Sequence, residues 1–359
     1  MFEKQKQEAG DNVQQIQANT VILHNGITEE RARAIVDERL SDVLKAYSSE
    51  AHSVATERVE KFADDLIPKL VKLNLLESLK NPSIQILLSE AQKTAASTER
   101  EVDYGLLSEL LIHRVKKGAD RKIRAGINQA VEIVDEISDD ALLGLTVYYC
   151  ATKFTPITGM IKDGLSVLNA LFEKVIYNSL PNGREWVDHL DVLNAVRIHS
   201  FGSIKKINQF YPENLSGYVD VGIKIDSDAH EKSKDIISQN KLPNDILVTH
   251  ELRSDYLRIP VLEQSLIEEL KVINLPINIP FSETQKQSVK EIYTLYENNQ
   301  NLRQENIKVL MEMWNDYPFL KKLKDWWDSI SPSFMITPVG SVLAHANAQR
   351  CDPNVPTLD

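Results

Sequence analysis

The chain has 359 residues, 42% hydrophobic and 26% charged, enough for two or three domains, or one domain with appendages, and for a sizeable core without staples. Lys and Arg number 41 against 52 Asp and Glu, a formal charge of −11, which argues against a general nucleic-acid binder because a basic field supplies that affinity. The two cysteines, Cys150 and Cys351, lie far apart and can build neither a disulfide framework nor a zinc ribbon.

The opening MFEKQKQEAGDN has no apolar signal core, and no apolar run reaches the roughly 18 residues of a membrane helix, so a cytoplasmic, reducing location is expected. Gly10-Asp11-Asn12 is a turn signal. Beyond it, Val13, Ile16, Ala18, Val21 and Leu23 follow neither helical period nor clean alternation, a pattern that suits short strands broken by frequent turns. So small a segment cannot bury its own apolar face. These five residues are therefore the candidate oligomerisation site, with the same segment of another copy as partner. The other reading of residues 1–27 is a polar tail.

Thr28, with Glu29 and Glu30 behind it, opens a long amphipathic helix, which Pro68 should kink or end. Pro82 starts a helix at its first turn. Further helical patterns carry Leu106 to Val115, Ile127 to Val134, Leu142 to Tyr148 behind a Ser138 cap, and Leu165 to Val175. Residues 28–180 thus read as a helical bundle.

Pro181-Asn182-Gly183 breaks the pattern. Helices are expected at Trp186–Ile198 and Ile204–Phe210, a strand at Gly217–Ile225, a helix at Asp228–Gln239, and a hairpin from Ile246–Thr249 and Tyr256–Ile259. That order makes residues 181–275 a small α/β winged-helix-like module. Ten Lys and Arg against twelve Asp and Glu across 181–262 favour a protein-facing module over a DNA reader. Pro276 and Pro280 mark a linker, and 276–359 returns to helix, with segments near Glu283–Asn298, Gln304–Asn315, Lys321–Ser329 and from Pro338. The fold class is mainly α: a helical bundle with a short N-terminal β segment and the α/β module.

Several clusters could carry chemistry, and each has a plainer reading. Asp188 and Asp191 share a helix face with His189 turned away, too few ligands for a metal and ordinary for a solvated face. Asp226, Asp228 and His230 follow a strand and could hold Mg²⁺, but Asp226-Ser227-Asp228 is also the expected helix cap. Arg114, Lys116, Lys117, Arg121, Lys122 and Arg124 form the densest basic run, either an anion contact or a solvated face. His345 and Cys351, six residues apart, do not share a helix face, and an exposed C-terminal segment is the simpler reading. Trp326 and Trp327 read as core or interface anchors. No P-loop, GxGxxG, GxSxG or HExxH occurs. No catalytic residue, metal ligand or cofactor is assigned.

The opening GDNVQQIQAN with the following GITEERARAI resembles N-terminal segments of bacterial phage-defence proteins, where such segments are thought to mediate assembly. The stretches NPSIQILLSEAQKTAASTEREVDYGLLSELLIHRV, WVDHLDVLNAVRIHSFGS and ITPVGSVLAHANAQRC resemble an uncharacterised bacterial family of similar length. The layout is similar to abortive-infection proteins of the alpha type. The resemblance implies a defence role and transfers no catalytic residue. The expected function is a non-enzymatic, homo-oligomeric interaction, scaffold or sensor protein with a possible protein partner. The alternatives are a metal-dependent hydrolase or nuclease effector using Asp226, Asp228 and His230, and a nucleic-acid-binding regulator using Lys116, Lys117 and Arg121.

Overall fold

The computed structural model describes residues 27–45, 48–199, 201–274 and 277–358. The N-terminal β segment expected from Val13 to Leu23 lies outside them. The described chain is mainly α.

Helix α1 (Glu29–Leu44) starts where Thr28 accepts the Arg31 N–H. Pro68, expected to kink or end its helix, does not end α2 (Ser49–Lys72), which runs through it. The proline falls near its last turn, where one lost backbone bond is outweighed by the burial of Leu66, Ile67 and Leu70. Asn81 caps α3 (Pro82–Ser97), with Pro82 in the first turn. Then come α4 (Glu101–Lys117), α5 (Arg121–Glu132) capped by Asp120, α6 (Asp139–Lys153) capped by Ser138, and α7 (Ile161–Val175).

The next segment departs from its sequence pattern. Helix α8 (Glu185–Val192) stops early, and β1 (Val196–Ile198) replaces its expected C-terminal half. The cause is Asn194, which sits at φ 59°, a left-handed conformation that ends helices and that Asn tolerates. After α9 (Ile207–Asn214), the stretch expected as a strand opens instead as the short helix α10 (Ser216–Val219) and leaves only β2 (Ile223–Lys224) extended. Tyr218 and Val219 are both buried, so the apparent alternation does not mark two faces. Helix α11 (Asp228–Gln239) and the strands β3 (Val248–His250) and β4 (Arg253–Arg258) follow. Sheet order β2-β4-β3 is antiparallel, giving a strand–helix–hairpin unit. Around Pro276 and Pro280, where a linker was expected, β5 (Lys271–Asn274) and β6 (Ile277–Pro280) pair as a hairpin. Helices α12 (Glu283–Thr294), α13 (Gln300–Asn315) and α14 (Pro318–Trp327), strand β7 (Phe334–Ile336) and helix α15 (Pro338–Cys351) complete the order.

Two cores result. A small one joins Ile223, Ile246, Ile259 and Ile267 to Phe281, Val289 and Ile292 of the α12 region. The large one runs through α1 to α10 and takes in α13 to α15. Helix α15 packs against α4, α5 and α6 and is buried from Val339 to Ala348 with only Ser341 partly open. A Cβ on Gly126 of α5 would stand 2.9 Å from the Pro338 carbonyl oxygen at the start of α15, and one on Gly340 would stand 2.0 Å from the Ala195 carbonyl oxygen before β1. Strand β1 pairs with β7, tying residues 196–198 to 334–336.

A buried ion pair clamps the α/β unit to α7. Arg258 Nη2 lies 2.8 Å from Glu251 and 2.7 Å from the Gly159 carbonyl. Glu251 also accepts the N–H groups of Ile161 and Lys162 at 2.8 and 3.0 Å, the first turn of α7. Gly159 passes so close to Pro260 that an added Cβ would stand 1.6 Å from its carbonyl oxygen. Gly159→Ala is therefore expected to destabilise by about 1–3 kcal/mol, read as a lower urea midpoint.

Candidate functional site

The C-terminal end of α6, the outer face of α7, helix α15 and the segment 352–358 line a half-open cavity of about 750 Å³. Such a volume falls in the roughly 300–1,000 Å³ range of small-molecule sites. Its walls are largely apolar, from Phe154, Pro156, Val167, Leu168, Leu171 and Leu358. The wall from 352 onward forms because Asp352 ends α15 in extended backbone, after which Val355 and Leu358 fold inward and are buried.

His345 of α15 lies among the lining residues and is 1% exposed. Its Nε2 donates to the Pro356 carbonyl at 2.7 Å, which fixes the covering segment. Its Nδ1 faces His113 Nε2 at 3.2 Å, and that same nitrogen of His113 lies 2.8 Å from Gln349 Oε1. One tautomer satisfies this geometry: His113 carries its proton on Nε2 and leaves Nδ1 bare, and Nδ1 is buried without a partner. Burial first, then the neighbouring His345, pushes His113 down to about 4 against the opposing Gln349 bond.

Lys174 and Asp352 form a 2.9 Å ion pair in the cavity wall. Burial opposes ionisation of Asp352, but Lys174 and the two Asn354 bonds outweigh it and hold the carboxyl below its usual range. Lys153, also lining the cavity, has no ion-pair partner among the described residues. Behind α15, Asn347 Nδ2 donates to Thr146 at 2.9 Å, and Asn347 Oδ1 accepts from Arg350, whose guanidinium lies over Tyr177. Chemically, this is a largely apolar cleft whose histidine is already hydrogen-bonded to a backbone carbonyl.

The clusters named from sequence resolve into local structure. Asp188 pairs with Arg184 at 2.8 Å, His189 Nε2 accepts the Ser138 N–H, and Asp191 accepts the Ile198 N–H, so the three serve three different elements. Ser227 caps α11 by accepting the His230 N–H at 3.2 Å, while His230 Nδ1 accepts the Asp226 N–H. Among the described residues no group of three or more His, Cys, Asp and Glu could hold a metal ion. Of the basic run, Arg114 is buried and donates to Ser83, whereas Lys116, Arg121 and Lys122 are exposed. The expectation of an exposed C-terminal segment is corrected: His345 is in the core, and burial raises the thiols of both Cys150 and Cys351, keeping them protonated. Trp326 and Trp327 are buried and donate to the carbonyls of Pro181 and Lys205. Val13, Ile16, Ala18, Val21 and Leu23 lie outside the described residues. Sequence reasoning missed the His113–His345 contact and the Lys174–Asp352 bridge. The one available signal was AHANA in α15, whose small residues leave no charged face for water.

No helix among the described residues is long and apolar enough to cross a membrane. A protein-family model described as ":-like" matches residues 26–356, and the chain belongs to that family; the description names no activity. Neither a curated protein nor a solved structure matches the chain.

Proposed function

We propose that this family member is a non-enzymatic, oligomeric sensor or scaffold protein that binds a small molecule in the α6–α7–α15 cavity and presents its surface to a protein partner. The supporting observation is the cavity itself: about 750 Å³ with apolar walls, and with its histidine and its carboxylate already engaged by Pro356 and Lys174. Assembly through Val13, Ile16, Ala18, Val21 and Leu23 is supported by the sequence argument that so short an apolar segment needs a partner. A cytoplasmic setting in bacterial anti-phage defence is supported by the resemblance of the sequence and layout.

Native mass spectrometry of the full chain tests the reading by reporting stoichiometry and retained small molecules together. A chain that is monomeric and retains no added small molecule would sink it. Deleting residues 1–26 should lower the particle mass while leaving the helical circular dichroism intact. Light scattering coupled to gel filtration measures this, and an unchanged mass would place the assembly surface elsewhere.

A further inference from the structure

Resting on that reading of the cavity, we propose that its ligand is an amphipathic monoanion: a hydrocarbon body ending in one carboxylate, of the free acyl-chain class. The body follows from the walls. Phe154, Leu168, Leu171 and Leu358 line the chamber, and its rim is also apolar, since Ile157 is 99% and Val167 51% exposed. Exposed apolar atoms continuous with an apolar chamber extend the surface that a hydrocarbon chain would cover.

The head follows from the charges. Three lysine and carboxylate groups line the cavity: Lys153, Lys174 and Asp352. Lys174 and Asp352 neutralise each other at 2.9 Å, and the second Asp352 oxygen accepts from Asn354 at 3.1 Å. Lys153 remains as one positive charge with no ion-pair partner among the described residues. A cationic head would meet Lys153 unfavourably, and a polyanion would find one free ammonium. A single carboxylate matches the balance, as the partly open mouth around Lys153 leaves the head in contact with water.

The test is titration calorimetry on the full chain with three probes of one chain length: dodecanoate, dodecanol and dodecyltrimethylammonium. Dodecanoate should bind at one per chain and more tightly than the other two. Lys153→Met should weaken dodecanoate about five- to tenfold and leave dodecanol unchanged. Val167→Arg, at a half-exposed rim position that does not threaten folding, should weaken every probe. Equal affinity for all three heads, or a dodecanoate affinity indifferent to Lys153→Met, overturns the carboxylate assignment while leaving a small-molecule cavity standing. Failure of every probe to bind overturns both this assignment and the small-molecule reading.

Discussion

Arg258→Ala is expected to lower the unfolding free energy by about 3–5 kcal/mol, the usual loss when one member of a buried ion pair is removed. Arg258 is fully buried, and truncating it strands Glu251, whose side chain is 12% exposed, without its cation. Glu251 is under opposing influences already. Burial pushes its carboxyl up, while the Ile161 and Lys162 N–H groups and Arg258 bring it below the usual range. Without Arg258, two backbone N–H groups are left to hold that charge at the start of α7. The Gly159 carbonyl loses its donor in the same step. A paired change, Arg258→Met with Glu251→Leu, should cost less than Arg258→Ala alone, because no buried charge is left unpaired. Urea unfolding measures both, and a loss below about 1 kcal/mol for Arg258→Ala would show the clamp to be incidental. Since α7 also walls the cavity, the same variant should bind dodecanoate more weakly.

Stability should also fall steeply in mild acid. His113 and His250 are each pushed down to about 4, chiefly by burial. His250 makes a full set of neutral-ring bonds, donating from Nε2 to the Asp220 carbonyl and accepting the Leu252 N–H on Nδ1. An unfolded histidine titrates near 6.5, so between about 6.5 and 4 the unfolded chain binds protons that the folded chain refuses. The stability present above pH 6.5 is therefore lost as pH falls toward 4, by about 3 kcal/mol for each histidine. Glu251 and Asp352, held below their usual range, add a second loss at lower pH as they protonate. Urea midpoints from pH 7.5 to 4.5 read the first window. His113→Leu should flatten its share of the slope, and a flat wild-type profile there would contradict the buried-neutral assignment.

Local punctuation in the sequence carried most of the helical architecture. Thr28, Asn81, Asp120, Ser138, Ser227 and Ser282 each cap a helix, because a side-chain oxygen at the first turn satisfies an otherwise orphaned N–H. Misreadings arose where tertiary packing overrode pattern. Val196 and Ile198 continue a helical spacing, but Asn194 at positive φ turns them into a strand that pairs with β7. GYVDVGIKI alternates, yet Tyr218 and Val219 are buried together because α10 packs against α13 and Gly217 bonds to Leu262. The cavity was least legible. Its walls come from residues near 153, 168 and 355, and no local period links positions so far apart. Hydrophobic spacing reports which face of a helix is buried, and it is silent on which distant segment covers it.

Helix α15 packs into a body whose other walls, α4 to α7, are made well before it. During translation those earlier helices leave the ribosome with a long apolar trough between them, and its plug is not synthesised until residue 351. About half the polypeptide must be threaded past that open trough first. Closure of the body thus waits on its last helix, and the nascent chain carries a greasy surface for as long as residues 181 to 337 take to emerge.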